Sequence, residues 1–174
     1  FTGKNEIVGV ENRLYAPLEV KNAFQFMHST DPRTKPDGEG YIPSDQLFVF
    51  SPDSQKIFFK KAKRFTRSEM MVMDMLSTND WKRPIYFAVT IGNDYHLGLD
   101  PYLELTGMAY RITPERSKDG RPRVNTEVMY DNMLNKFKYG NMHVPGIYID
   151  ENTMRICRTH RMMFLDLIEA LYQE

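Results

Sequence analysis

The residues of this 174-residue chain whose types and spacing suit chemistry lie in one stretch. Asp94, Tyr95, His96 and Asp100 sit together, with Trp81, Arg83 and Tyr86 before them and Tyr102, Tyr110 and Arg111 beyond. A carboxylate near an imidazole suits acid–base work, and aromatic faces beside polar hydrogen-bonding groups suit a sugar. The same residues also have a purely structural reading. Asp100 then caps a short turn with Pro101 at its first position, His96 sits on the surface, and the tyrosines finish a core with their hydroxyls in water. Trp81, Arg83, Tyr86, Asp94, Tyr95, His96, Tyr110 and Arg111 are therefore a candidate ligand or interaction loop, and none of them is assigned a catalytic role.

This loop is held by the elements around it. Ile85 to Ile91 is a continuous apolar and β-branched run, introduced by Pro84 and stopped by Gly92-Asn93-Asp94, and it predicts an interior strand covered on both faces. Its side chains are expected in a core with Met71, Met75, Met129 and Phe137. Met108 to Thr113 predicts a second strand, and Glu115 to Pro122 a charged loop.

Helices are signalled at four places. Val20, Ala23, Phe24 and Met27 have helical spacing between Pro17 and Ser29. Thr66 and Glu69 form a capping box for a helix to about Ser77, whose body is apolar almost all round and reads as a buried packing helix. Asn125 or Thr126 caps a helix running to Tyr139, with Val128, Met129, Met133 and Phe137 on one stripe and Gly140 as the stop. Asp150 opens the longest helix, which carries Met154, Cys157, Arg161, Phe164, Ile168 and Leu171. Gln46 to Phe50 and Lys56 to Lys60 read as a hairpin, and Thr30 to Gly40 as an exposed loop.

Alternating strand and helix signals predict an α/β or α+β fold, with a mixed sheet of about four to five strands packed by helices. Residues 1–149 are expected to form one α/β domain and residues 150–174 a terminal helix that begins a helical repeat.

Lys plus Arg and Asp plus Glu number 23 each, so no net charge suggests a polyanionic partner, and no nucleic acid is expected. The basic cluster Lys60, Lys61, Lys63, Arg64 and Arg67 lacks a stacking platform and reads as a solvated strand end. Nucleophile-elbow, P-loop, dinucleotide and zinc-protease signatures are absent from the sequence. Cys157 is the only cysteine, and His28, His96, His143 and His160 are scattered singly, so neither a metal nor another cofactor is expected.

The strings WKRPIYFAVT, LGLDPYLELTGMAYRITP, VNTEVMYDNMLNKFKYGNM and the closing LIEALYQE carry a family resemblance. They resemble the soluble carboxy-terminal region of a family of Gram-negative polytopic membrane proteins of unknown function. That family is similar to protein O-mannosyltransferases of the GT-C glycosyltransferase type and often carries tetratricopeptide repeats. The resemblance implies a domain on the periplasmic side of the inner membrane, behind a transmembrane glycosyltransferase-like body that holds the lipid-linked donor and the catalytic acid. It transfers no catalytic residue onto this chain. The start on Phe1 and the uncapped final helix fit a piece of a longer protein, with that helix the first half of a repeat.

Two functions follow as expectations. The first is a non-catalytic extracytoplasmic domain that supports the membrane body or presents acceptor proteins or glycans. The second is a free-standing soluble enzyme or sugar-binding module that uses the loop from Asp94 to Tyr110. Self-association through Phe164, Ile168 and Leu171 is expected if the last helix lacks its neighbour.

Overall fold

In the computed structural model, residues 7–10, 16–29, 41–142 and 144–173 are described. The expected loop from Thr30 to Gly40, the amino end and His143 lie outside them. The chain folds as mixed α/β. It divides into two compact units, Phe1–Ile85 with Gly92–Asp100, and Tyr86–Ile91 with Pro101–Glu174.

In the first unit, β1 (Ile7–Gly9) pairs antiparallel with β5 (Arg64–Thr66). A mixed sheet has the order β2 (Leu18–Glu19), β3 (Leu47–Phe50), β4 (Lys56–Phe58), with β2 parallel and β4 antiparallel to β3. The hairpin expected from the two aromatic runs is thus present, closed by Ser51 N–H donating to the Gln55 carbonyl at 2.8 Å. Val20 and Ala23, at helical spacing in α1 (Val20–His28), are buried, as are Leu47, Val49, Ile57 and Phe65.

α2 (Arg67–Asn79) starts where its capping box requires. Thr66 Oγ1 accepts the Glu69 amide at 3.3 Å and Glu69 Oε2 accepts the Thr66 amide at 2.8 Å, satisfying two orphan donors. Burial opposes ionisation of Glu69. The Thr66 amide and hydroxyl and the nearby Lys60 ammonium outweigh it and hold the carboxyl below its ordinary value. The expectation of a helix buried all round is corrected. Only Met73, Leu76 and Ser77 are buried, whereas Met71 is 56 % and Met75 45 % exposed. A helix laid on one sheet layer covers one stripe, whatever the hydrophobicity of its other faces.

The second unit holds a four-stranded mixed sheet of β6 (Tyr86–Ala88), β7 (Leu103–Leu105), β8 (Ala109–Ile112) and β9 (Arg123–Val124), in the order β6-β8-β7-β9. Here the interior strand expected from Ile85 to Ile91 is corrected. β6 is a short edge strand in which Phe87 is buried and Tyr86 and Ala88 are exposed, and Ile91 lies beyond it, 36 % exposed. An edge strand pairs on one side and covers one face, so alternation, not the apolar run, decides which side chains are buried. The run from Met108 does form a strand, β8.

Gly107 makes the β7–β8 turn possible. Its φ is +134°, and a Cβ there would stand 3.1 Å from the Phe137 ring. α3 (Thr126–Tyr130) is capped by Asn125 Oδ1, which accepts the Val128 amide at 2.9 Å. It continues as a wider π turn over Asp131–Lys136 and stops there, short of the Tyr139 expected. The Phe137 amide reaches back to the Asn132 carbonyl, Asn132 Nδ2 donates to Thr106 O at 2.7 Å, and the Tyr139 hydroxyl donates to the Met133 carbonyl at 2.6 Å. With these bonds made elsewhere, the regular ladder has no continuation. Val128, expected on the buried stripe, is 39 % exposed.

α4 (Glu151–Gln173) begins after Asp150, whose Oδ1 accepts the Thr153 amide at 2.8 Å. Met163 and Leu167 bury it against Leu105, Met129 and Met133, with Phe137 and Phe164 packed at the margin. Ile168 and Leu171 are exposed. Among the described residues no helix is long and apolar enough to cross a membrane.

Candidate functional site

Strand register in the second unit lines up four residues that lie far apart in sequence. Tyr86 on β6 is opposite Arg111 on β8, Arg111 opposite Glu104 on β7, and Glu104 opposite Arg123 on β9. Since side chains alternate along a strand, this row faces away from Leu105, Tyr110 and Val124, which pack toward the helices. One face of the sheet is apolar and the other carries a polar row.

Within the row the charges are unequally satisfied. Glu104 is only 7 % exposed, and its Oε1 accepts Arg123 Nε at 3.1 Å. The same guanidinium reaches Glu115 Oε2 at 2.9 Å, so Arg123 bridges two carboxylates through separate nitrogens. Arg111 is exposed, and its guanidinium makes no hydrogen bond or ion pair with another described residue. Tyr86 beside it is 49 % exposed. An open guanidinium next to an open phenol ring can hydrogen-bond and stack on a partner.

The remaining candidates fall in the first unit and are held by structural work. Trp81 donates its indole N–H to the Phe50 carbonyl at 2.8 Å and seats the end of α2 on β3. Asn79 clamps the Arg83 backbone, with Nδ2 on Arg83 O at 2.6 Å and Oδ1 on Arg83 N at 3.2 Å. Arg83 also lines an open cavity of about 540 Å³ with Met75, Thr78, Lys82, Pro84 and Ile85.

The loop from Gly92 to Asp100 is pinned to the hairpin by Lys60. The Lys60 amide donates to Leu97 O at 2.8 Å and its Nζ to Asp94 O at 2.8 Å, while the ammonium pairs with Glu69 at 3.3 Å. Gly98 permits that approach. Its φ is +78°, and a Cβ would meet the Lys60 backbone nitrogen at 3.1 Å.

The surface position expected for His96 is corrected: it is 1 % exposed, and its Nδ1 lies 2.9 Å from Asp100 Oδ1. Leu97 and Leu99 beside it are fully buried, so the loop is anchored by apolar side chains and carries the imidazole inward with them. Asp100 is the first residue of the short turn Asp100–Tyr102, with Pro101 second, and its carboxylate lies on His96 rather than capping the turn as expected. Asp94 and Tyr95 are exposed.

The candidates thus separate into two groups. Tyr86, Tyr110 and Arg111 belong to the second unit, with Tyr110 on the helix-covered face. Trp81, Arg83, Asp94, Tyr95 and His96 belong to the first. Glu104 and Arg123 escaped the sequence reading, because only strand register puts them in one row with Arg111, and Glu115 joins them through the Arg123 guanidinium. Among the described residues no group of three His, Cys, Asp or Glu side chains is placed to hold a metal ion.

Comparison with known families matches residues 2–128, which include every residue of the polar row and the pinned loop. The chain belongs to the TMEM260-associated domain 2 family. No curated protein and no solved structure matches it. The family match covers the first unit, the four-stranded sheet and the start of α3, and α4 lies outside it.

Proposed function

We propose that this chain is a non-catalytic extracytoplasmic domain of a membrane glycosyltransferase-like protein, supporting the membrane body or presenting its acceptor. The observation that carries the reading is the family match over residues 2–128, whose name ties the domain to TMEM260, an O-mannosyltransferase-like protein. The strings from Trp81 onward, which resemble the region behind a GT-C type membrane body, lie largely within that match and agree with it. On this reading the domain faces the periplasm from the inner membrane of a Gram-negative cell.

The chemistry of the polar row agrees with this role. Glu104 is neutralised by Arg123, while Arg111 and Tyr86 are open for contact with a protein or glycan. The second reading, a free-standing soluble enzyme or sugar-binding module, uses the loop from Asp94 to Tyr110, where the exposed Asp94 and Tyr95 set a carboxylate beside a phenol ring.

Incubation of the isolated chain with a polyprenyl-linked sugar and an acceptor peptide separates domain from enzyme. The reading expects no turnover. Transfer by the isolated chain that is lost in Arg111→Ala would establish an enzyme instead.

A further inference from the structure

α4 has two apolar faces. One carries Met163 and Leu167 into the core. The other, roughly half a turn around the helix, carries Met162, Leu165, Ile168 and Tyr172, which are 55 %, 51 %, 59 % and 92 % exposed. Spacings of three and four residues make these a continuous stripe. Isolated apolar side chains on a surface need no explanation, but a continuous stripe marks a contact.

The charges beside the stripe say what covers it. Arg158 and Arg161 lie toward the helix start and Glu169 toward its end, and none of the three forms an ion pair with another described residue. Burial and the Glu169 charge together hold the Asp166 carboxyl above its ordinary value.

The pattern is self-complementary about Leu165. Met162 and Ile168 stand three residues to either side, Arg161 and Glu169 four, and Arg158 and Tyr172 seven. Two antiparallel copies therefore set Met162 against Ile168, Arg161 against Glu169, and the Arg158 guanidinium against the Tyr172 ring, each contact twice. A parallel pair would instead oppose Arg161 to Arg161 and Glu169 to Glu169.

We propose that this chain forms an antiparallel homodimer through the Met162–Leu165–Ile168–Tyr172 face of α4, with the two-fold axis passing beside Leu165. The surface differs from the stripe read through Phe164, whose ring is packed against the core. The proposal is independent of the functional reading above.

Sedimentation equilibrium of the 174-residue chain should give the dimer mass at micromolar concentration. In a Cys157→Ser background, Leu165→Cys should link into a disulfide dimer under mild oxidation. Arg158→Cys on the same face should not, because antiparallel helices hold its two copies roughly 20 Å apart. Arg161→Glu should raise the dissociation constant at least about tenfold, and Arg161→Glu combined with Glu169→Arg should restore it. These positions are exposed, and circular dichroism melts check that each variant folds.

A monomer with native melting behaviour would overturn the proposal and leave the face to another helix of the same polypeptide. Linking at Arg158 as readily as at Leu165, or failure of the double reversal to recover association, would overturn the antiparallel arrangement.

Discussion

Arg123 donates from Nε to Glu104 Oε1 at 3.1 Å across the parallel β7–β9 pair, and this contact closes the far end of the polar row. Glu104 is nearly buried while Arg123 is about one-third exposed, so the pair is asymmetric. Removing the exposed partner strands the buried one.

Arg123→Ala should therefore destabilise the protein by about 1.5–3 kcal/mol, the range for a hydrogen bond to a charged group. Glu104→Gln, which keeps an acceptor and removes the buried charge, should cost less. Denaturant unfolding of the two variants checks the order, and a larger loss for Glu104→Gln would show that the pair does not stabilise as described.

The capping box predicts both a magnitude and a pH dependence. Thr66→Ala should cost about 1 kcal/mol through loss of the cap. The Glu69 carboxyl is held below its ordinary value in the folded protein, so its contribution is present above the unfolded glutamate value and is lost as pH falls through the folded one. Stability measured against pH should fall less steeply across that acidic window in Glu69→Gln than in the native chain. Identical slopes would mean that Glu69 has the same proton affinity folded and unfolded.

Core substitutions should follow the observed burial. Phe87→Ala, at a position 5 % exposed, should cost about 3–5 kcal/mol. Met71→Ala, 56 % exposed on α2, should cost less than about 1 kcal/mol. Thermal melts showing comparable losses would mean that α2 packs through its Met71 face.

Local signals were legible wherever a short-range bond decides the structure. The Thr66–Glu69 box, the Asn125 and Asp150 caps and the hairpin around Ser51 to Gln55 each depend on residues a few positions apart. Burial was less legible, because hydrophobicity alone does not reveal how many layers cover an element. Hydrophobicity alone points Met71 and Met75 inward and Ile85 to Ile91 into an interior strand, whereas both methionines are exposed and Phe87 belongs to an edge.

The candidate site was legible only in part for a related reason. Tyr86 and Arg111 stood out as side-chain types, but Glu104 and Arg123 join them only through the order β6-β8-β7-β9, which no local pattern encodes. His96 was displaced inward by its neighbours Leu97 and Leu99, whose burial is a tertiary property.

The proposed function is tested most directly by the location of this domain in the membrane protein to which it is proposed to belong. Asp119 lies in the exposed bend between β8 and β9, so Asp119→Cys in a Cys157→Ser background places one accessible thiol on its surface. The full-length protein should react with a membrane-impermeant maleimide in cells whose outer membrane is permeabilised and whose inner membrane is intact. Reaction only after the inner membrane is lysed would place the domain in the cytoplasm and contradict the account.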